Sequence, residues 1–216
     1  MSDESFEYLV QGYRRFYHKY LGDHYEEYRQ EATVRQAPKV MMIACSDSRV
    51  SPSIVTHSKL GEVFIVCNVA NIVPPYRPDK GTHHSTSSAL EFAVGTLDVE
   101  HIIVMGHSGC GGIRALLDGA PVALDGEYSF IKPWVEIIAE AKTKVCHLHK
   151  DEQYQACEQE ALKISMENLR TFPWIEKRIT EKTLAIHGWH FDIASGVMTA
   201  YDKTKDQFVT LLDNSI

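Results

Sequence analysis

Four short apolar runs constrain the folds open to this chain. Residues 39–45, 62–67, 100–105 and 183–188 are rich in Val, Ile, Met, Leu and Ala. Each has the length of a strand covered on both faces and is short for a buried helix. The segments between them read as helical, at 89–97 and 111–117. Residues 134–178 read as further helices, interrupted at Pro173. Near the start, Phe6, Leu9, Tyr13, Phe16, Tyr17 and Tyr20 recur at three- and four-residue steps, as in an amphipathic helix. Weaker strands are expected at 197–201 and 207–211. Strands alternating with helices predict an α/β fold, a mostly parallel central β-sheet flanked by helices, with an N-terminal helical arm. At 216 residues the chain is expected to form one domain, with the arm at 1–35 and an α/β core at 36–216.

The charge balance narrows the partners. Twenty-nine acidic against 22 basic residues give a formal net charge of −7. That argues against a dedicated binder of nucleic acid or anionic membrane, each of which needs a basic surface. No apolar run is long enough to span a bilayer. The N-terminus lacks a basic stretch followed by an apolar one, so no secretory signal is expected. Five scattered cysteines, an odd number, predict free thiols in a reducing, cytoplasmic setting. Cys67 and Cys157 are expected to be small buried residues. Cys146, His147 and His149 are expected at a surface helix end rather than on a second metal.

In a parallel sheet, ligands sit beyond the carboxyl ends of the strands. Two of those ends are unusual. The first strand runs into Cys45-Ser-Asp47-Ser-Arg49, and the third into His107-Ser-Gly-Cys110-Gly-Gly. His107 and Cys110 stand one loop-turn apart, and the glycines let the backbone fold tightly around them. With Cys45 they form a one-histidine, two-cysteine set, which suits zinc and leaves a fourth position open. Residues i, i+2 and i+4 of an extended segment share a side, so Asp47 and Arg49 are expected to face the same pocket. Asp47 could close the site as a fourth ligand, or Arg49 could grip it in a bidentate pair.

These residues resemble the zinc signature of the β-class carbonic anhydrases. The similarity extends to Gln36-Ala-Pro-Lys39, residues 45–52, Gly61-Glu-Val-Phe64, residues 68–75, 89–93 and 99–113, and more weakly to 187–192. The resemblance implies one zinc per chain on Cys45, His107 and Cys110, with Asp47 and Arg49 as the catalytic dyad beside the fourth site. It implies a carbon dioxide or bicarbonate pocket formed by Gln36, Phe64, Val69 and the backbone of Gly111. It also implies a homo-oligomer, a dimer or dimer of dimers, in which a neighbouring subunit completes part of that pocket. Gln36 points to the plant-like branch. Cys67, Phe92 and Thr96 depart from residues common in that branch.

The activity so implied is zinc-dependent, reversible hydration of carbon dioxide to bicarbonate. Hydration needs hydroxide near neutral pH, and zinc provides it by lowering the pKa of bound water from 15.7 toward about 7. Thr96 cannot relay the released proton, and His83 and His84 are the alternative carriers, although solvated loop histidines are the simpler reading. Three other readings share these residues. They are a zinc hydrolase of carbonyl sulfide or carbon disulfide, a non-catalytic zinc module, and a metal-free thiol site at Cys45.

Overall fold

The most apolar strand lies inside the sheet, between two parallel neighbours. Val40–Cys45 (β1) reads Val-Met-Met-Ile-Ala-Cys and is buried from Met41 onward. The computed structural model describes residues 4–23, 26, 28–29, 35–78, 84–119 and 130–212. Two units separate along the chain, Met1–Ala37 and Pro38–Ile216.

In the first unit, helix α1 (Glu4–Tyr17) runs into a π-helical turn, His18–Asp23. Glu4 and Glu7 in its first turn and Arg14 and Arg15 in its last complement the helix dipole. Aromatic rings stack along it, Tyr13 with Tyr17 and Phe16 with Tyr20.

In the second unit the order after β1 is α2 (Pro52–Thr56), β2 (Val63–Asn68), α3 (Ser85–Gly95) and β3 (His101–His107). Helices α4 (Gly111–Asp118), α5 (Ile131–Val135), α6 (Ala139–Val145), α7 (Lys150–Arg170) and α8 (Pro173–Thr180) follow. Strands β4 (Ala185–Phe191), β5 (Met198–Asp202) and β6 (Gln207–Thr210) complete the sheet. The strand order is β2-β1-β3-β4-β5-β6. The first four pair in parallel, and β5 and β6 are antiparallel. Pro173 separates α7 from α8 by taking the first position of the latter, where its missing N–H costs nothing.

Alternate residues of β1 and β3 feed opposite sides of the sheet. Met41, Ile43, Ile102 and Val104 pack with Leu90 of α3, Leu162 of α7 and Ile175 of α8. Met42, Ala44, Ile103 and Met105 pack with Val50 and Trp189. A third apolar cluster joins α4, α6 and α7 and includes Cys45, Cys110 and Cys157.

Two findings differ from expectation. Helix α2 was not anticipated, and Cys67 is exposed rather than buried. Cys67 lies on the edge strand β2, where residues 65 and 67 are exposed among the described residues. Cys146 and His149 are exposed at the end of α6 and the start of α7, as expected. No helix among the described residues is long and apolar enough to cross a membrane.

Candidate metal centre

From β1 the chain goes to one neighbour, β2, and later returns to the other side of β1 as β3. Such a reversal opens a crevice at the carboxyl ends of the two diverging strands. Cys45 is the last residue of β1 and His107 the last of β3. The topology therefore brings Cys45, His107 and Cys110 together although up to 65 residues separate them.

Their ligand atoms lie within 4.8 Å of one another, and they are the one such group of three among the described residues. The sulfurs of Cys45 and Cys110 are 3.9 Å apart. Two thiolates bound to one tetrahedral zinc at about 2.3 Å would stand about 3.8 Å apart. The His107 ring is fully buried. Its Nδ1–H donates to the Ser108 carbonyl at 3.0 Å, which leaves Nε2 with a lone pair. That Nε2 is buried and, among the described residues, makes no hydrogen bond of ordinary geometry; its neighbours are the Cys45 and Cys110 sulfurs. An orphaned buried nitrogen is costly unless something fills its lone pair, and an ion beside two sulfurs would do so. The donor set is soft, as zinc prefers.

Backbone amides turn toward the sulfurs. The backbone amides of Ala70 and Asp47 favour the Cys45 thiolate, and those of Ile113 and Gly112 favour a thiolate at Cys110. A hydrogen bond from Cys110 is the largest influence on Cys45 and draws its thiol well below the ordinary range, while Cys110 is pushed above it. The pair therefore favours a thiolate at Cys45.

The turn carrying Ala70 is strained. Ala70 and Asn71 both have positive φ, 62° and 47°, and both are buried. Asn68 holds this turn, its Nδ2 donating to Ile72 O at 2.9 Å and its Oδ1 accepting from Ile72 N at 2.8 Å. Trp134 Nε1–H donates to Val69 O at 2.8 Å and fixes the other side. A Cβ on Gly112 would stand 2.8 Å from the Ala70 Cβ and 2.9 Å from Val69 Cγ1. Gly112→Ala is therefore expected to cost about 1–3 kcal/mol of stability, measurable by denaturant unfolding. An unchanged midpoint would mean that the turn yields freely.

Asp47 and Arg49 form the bidentate pair. Arg49 Nε donates to Oδ1 at 2.9 Å and Nη2 to Oδ2 at 2.7 Å. The Arg49 backbone N–H also donates to Asp47 Oδ1 at 3.0 Å, and Nη2 reaches Gly109 O at 3.2 Å. One guanidinium thus ties both ligand-bearing loops. The Arg49 side chain holds the Asp47 carboxyl well below the usual range. Asp47 Oδ2 stands 3.9 Å from His107 Nε2.

The other candidates are distributed unevenly. Val69 adjoins the start of α4 through Gly112. Gly111 begins that helix, and the space a Cβ would take there is empty. Phe64 pairs with Met41, four residues before the Cys45–Asn68 pair, about 13 Å back along the strand. Gln36 belongs to the first unit and is exposed. His84 is exposed at the start of α3, and His83 lies outside the described residues. Thr96 and Phe92 are exposed on α3 and its cap.

Sequence reasoning missed the residues behind the ligands. Glu158 accepts a hydrogen bond from Cys110 N, and His190 meets Glu158. Ser108 binds the end of β4, its N–H donating to Phe191 O. His190 falls in the weakly similar stretch 187–192, but nothing in the sequence ties it to a glutamate 32 residues earlier in a helix.

The carbonic anhydrase family model matches residues 40–198. Beta carbonic anhydrase 3 of Arabidopsis thaliana is 41% identical over 171 residues, 77% of this chain. The chain spans 66% of that relative's length. The solved β-carbonic anhydrase CcaA superposes with a TM-score of 0.86 at 30% identity, covering 95% of this chain and 99% of that one. A tetrameric β-carbonic anhydrase of Sordaria macrospora superposes at 0.79 with 26% identity, covering 91% and 96%. A matched family model over most of the chain and a shared fold along nearly its whole length give one conclusion: the chain belongs to the β-class carbonic anhydrases.

Proposed function

We propose that this protein catalyses the reversible hydration of carbon dioxide to bicarbonate and a proton, with one zinc per chain held by Cys45, His107 and Cys110. The observation that carries this reading is the buried Nε2 of His107 facing two sulfurs 3.9 Å apart. Zinc held by these three residues would supply a water acidified toward neutral pH. Asp47, ionised beside that position, would accept a hydrogen bond from the attacking group and orient it. Arg49 holds Asp47 ionised and away from the metal through its two short hydrogen bonds. Val69, exposed in the single chain, offers the small apolar substrate an apolar wall, and the Gly111 backbone leaves open space where a Cβ would stand. Phe64 joins such a pocket in a homo-oligomer, where a partner's wall completes it. The setting is a reducing cytoplasm, which keeps the ligand thiols reduced.

Stopped-flow hydration of carbon dioxide tests the activity directly. Turnover is expected in the zinc-replete protein, to vanish on chelation and to return with added zinc. A zinc-replete protein that hydrates no faster than buffer sinks the reading.

The pH dependence gives a second check. A depressed carboxylate contributes stability above its unfolded pKa, near 3.9, and loses it as pH falls through the lower folded value. Asp47 is thus ionised throughout the neutral range and is not the group whose titration limits the rate. Asp47→Asn is expected to lower kcat/KM about 100-fold while leaving the apparent pKa of the acid limb in place. Disappearance of that limb from the pH–rate profile would assign the titration to Asp47 instead.

A further inference from the structure

Behind the ligands lies a buried acid–base pair that the hydration chemistry does not use. Glu158 on α7 is 4% exposed and His190 on β4 is 3% exposed. A carboxylate persists in such surroundings when its oxygens find donors. Glu158 finds two. Its Oε1 accepts the Cys110 backbone N–H at 3.1 Å, and its Oε2 lies 3.0 Å from His190 Nε2. Cys110 is the N-cap of α4, and no side chain of that cap satisfies the helix start. The amide of Cys110 therefore takes its partner from a helix 48 residues further on.

The surroundings are shaped for this contact. Strand pairing sets His190 opposite Gly106, the residue before His107. A Cβ on Gly106 would stand 3.2 Å from Leu162 Cγ, one turn along α7 from Glu158. The bare glycine lets α7 lie close enough for Glu158 to reach the loop. His190 fixes the carboxylate from the opposite side.

We propose that Glu158, oriented by His190, is a positioning residue that fixes the Cys110 backbone and so aims its sulfur at the metal. This rests on Cys110 binding zinc, as proposed above. Glu158 touches no reacting atom and acts through the ligand. Partners of this kind set ligand orientation, and their loss costs roughly 10–100-fold in metal affinity.

Zinc release from the loaded protein into excess chelator measures the effect, with folding followed by circular dichroism. Glu158→Ala is expected to release zinc roughly 10–100-fold faster than the parent. Glu158→Gln is expected to stay near the parent. Its carbonyl can accept the Cys110 N–H, and its amide can donate to the other tautomer of His190. His190→Leu, which removes one anchor of the carboxylate, is expected to fall between. In cobalt-loaded protein the visible bands of the thiolate-bound ion should shift in the alanine variant and return in the glutamine variant.

A folded Glu158→Ala with the parent's release rate and cobalt spectrum overturns the proposal. So does a Glu158→Gln that releases zinc as fast as the alanine variant, since charge rather than position would then be at work. Should the alanine variant fail to fold, a His190→Leu indistinguishable from the parent overturns it as well. A parent protein that holds no zinc defeats the earlier ligand assignment, which is a separate result.

Discussion

Replacing Arg49 by alanine is expected to lower kcat for carbon dioxide hydration about 100-fold while the protein keeps its zinc. The reason is geometric. Both Asp47 oxygens are engaged by the guanidinium, at 2.9 and 2.7 Å. Charge-assisted, bidentate pairs of this sort fix orientation as well as charge. Without Arg49, the carboxylate is free to turn toward the metal position and occupy the place of water. Even a shift of about 1 Å in a positioning group can cost 100-fold. Lysine cannot restore the fork, so Arg49→Lys is expected to remain well below the parent. Steady-state kinetics together with metal analysis checks this. Full activity in Arg49→Ala would mean that Asp47 needs no restraint.

Cys110→Ser is expected to abolish zinc retention and, with it, measurable hydration. A neutral hydroxyl is a poor ligand for an ion that favours thiolate, and the other ligands are one sulfur and one imidazole. The loss should exceed the roughly 10–100-fold typical of changes behind the ligands. Acid should act in the same direction in the parent, because protons compete with the metal for both sulfurs and the ring nitrogen. Elemental analysis after gel filtration provides the measurement. A serine variant that keeps one zinc per chain and full turnover would remove Cys110 from the ligand set.

The parallel part of the sheet was legible because burial on both faces leaves an unbroken apolar run, as in β1 and β3. Strands β5 and β6 were fainter for the opposite reason. Every residue of β5 is half-buried, so neither alternation nor a continuous run appears. Helix α2 escaped because Ile54, Val55 and Thr56 are β-branched and read as strand; the helical sign was Pro52 in its first turn. At the site, Cys45, His107 and Cys110 could be read because their types are rare together and both segments end strands. The pairing of Gly106 with His190 could not, since strand register is set by long-range packing. Nor could the positive φ of Ala70, a residue whose side chain carries no hint of it. The outward face of Cys67 depended on its strand being an edge, which strand order alone decides.

The ligands flank a reversal in strand order, and this has a mechanical consequence. An ion joining Cys45 to Cys110 closes a loop of 65 positions, much as a covalent tie would. By chain-entropy reasoning, such a closure restrains the unfolded ensemble by about 4 kcal/mol. If these residues hold zinc as proposed, metal loading and cohesion of the upper rim of the sheet form one equilibrium. Stripped protein should fray first where β1 and β3 end, while their lower halves, sealed between apolar layers, stay intact.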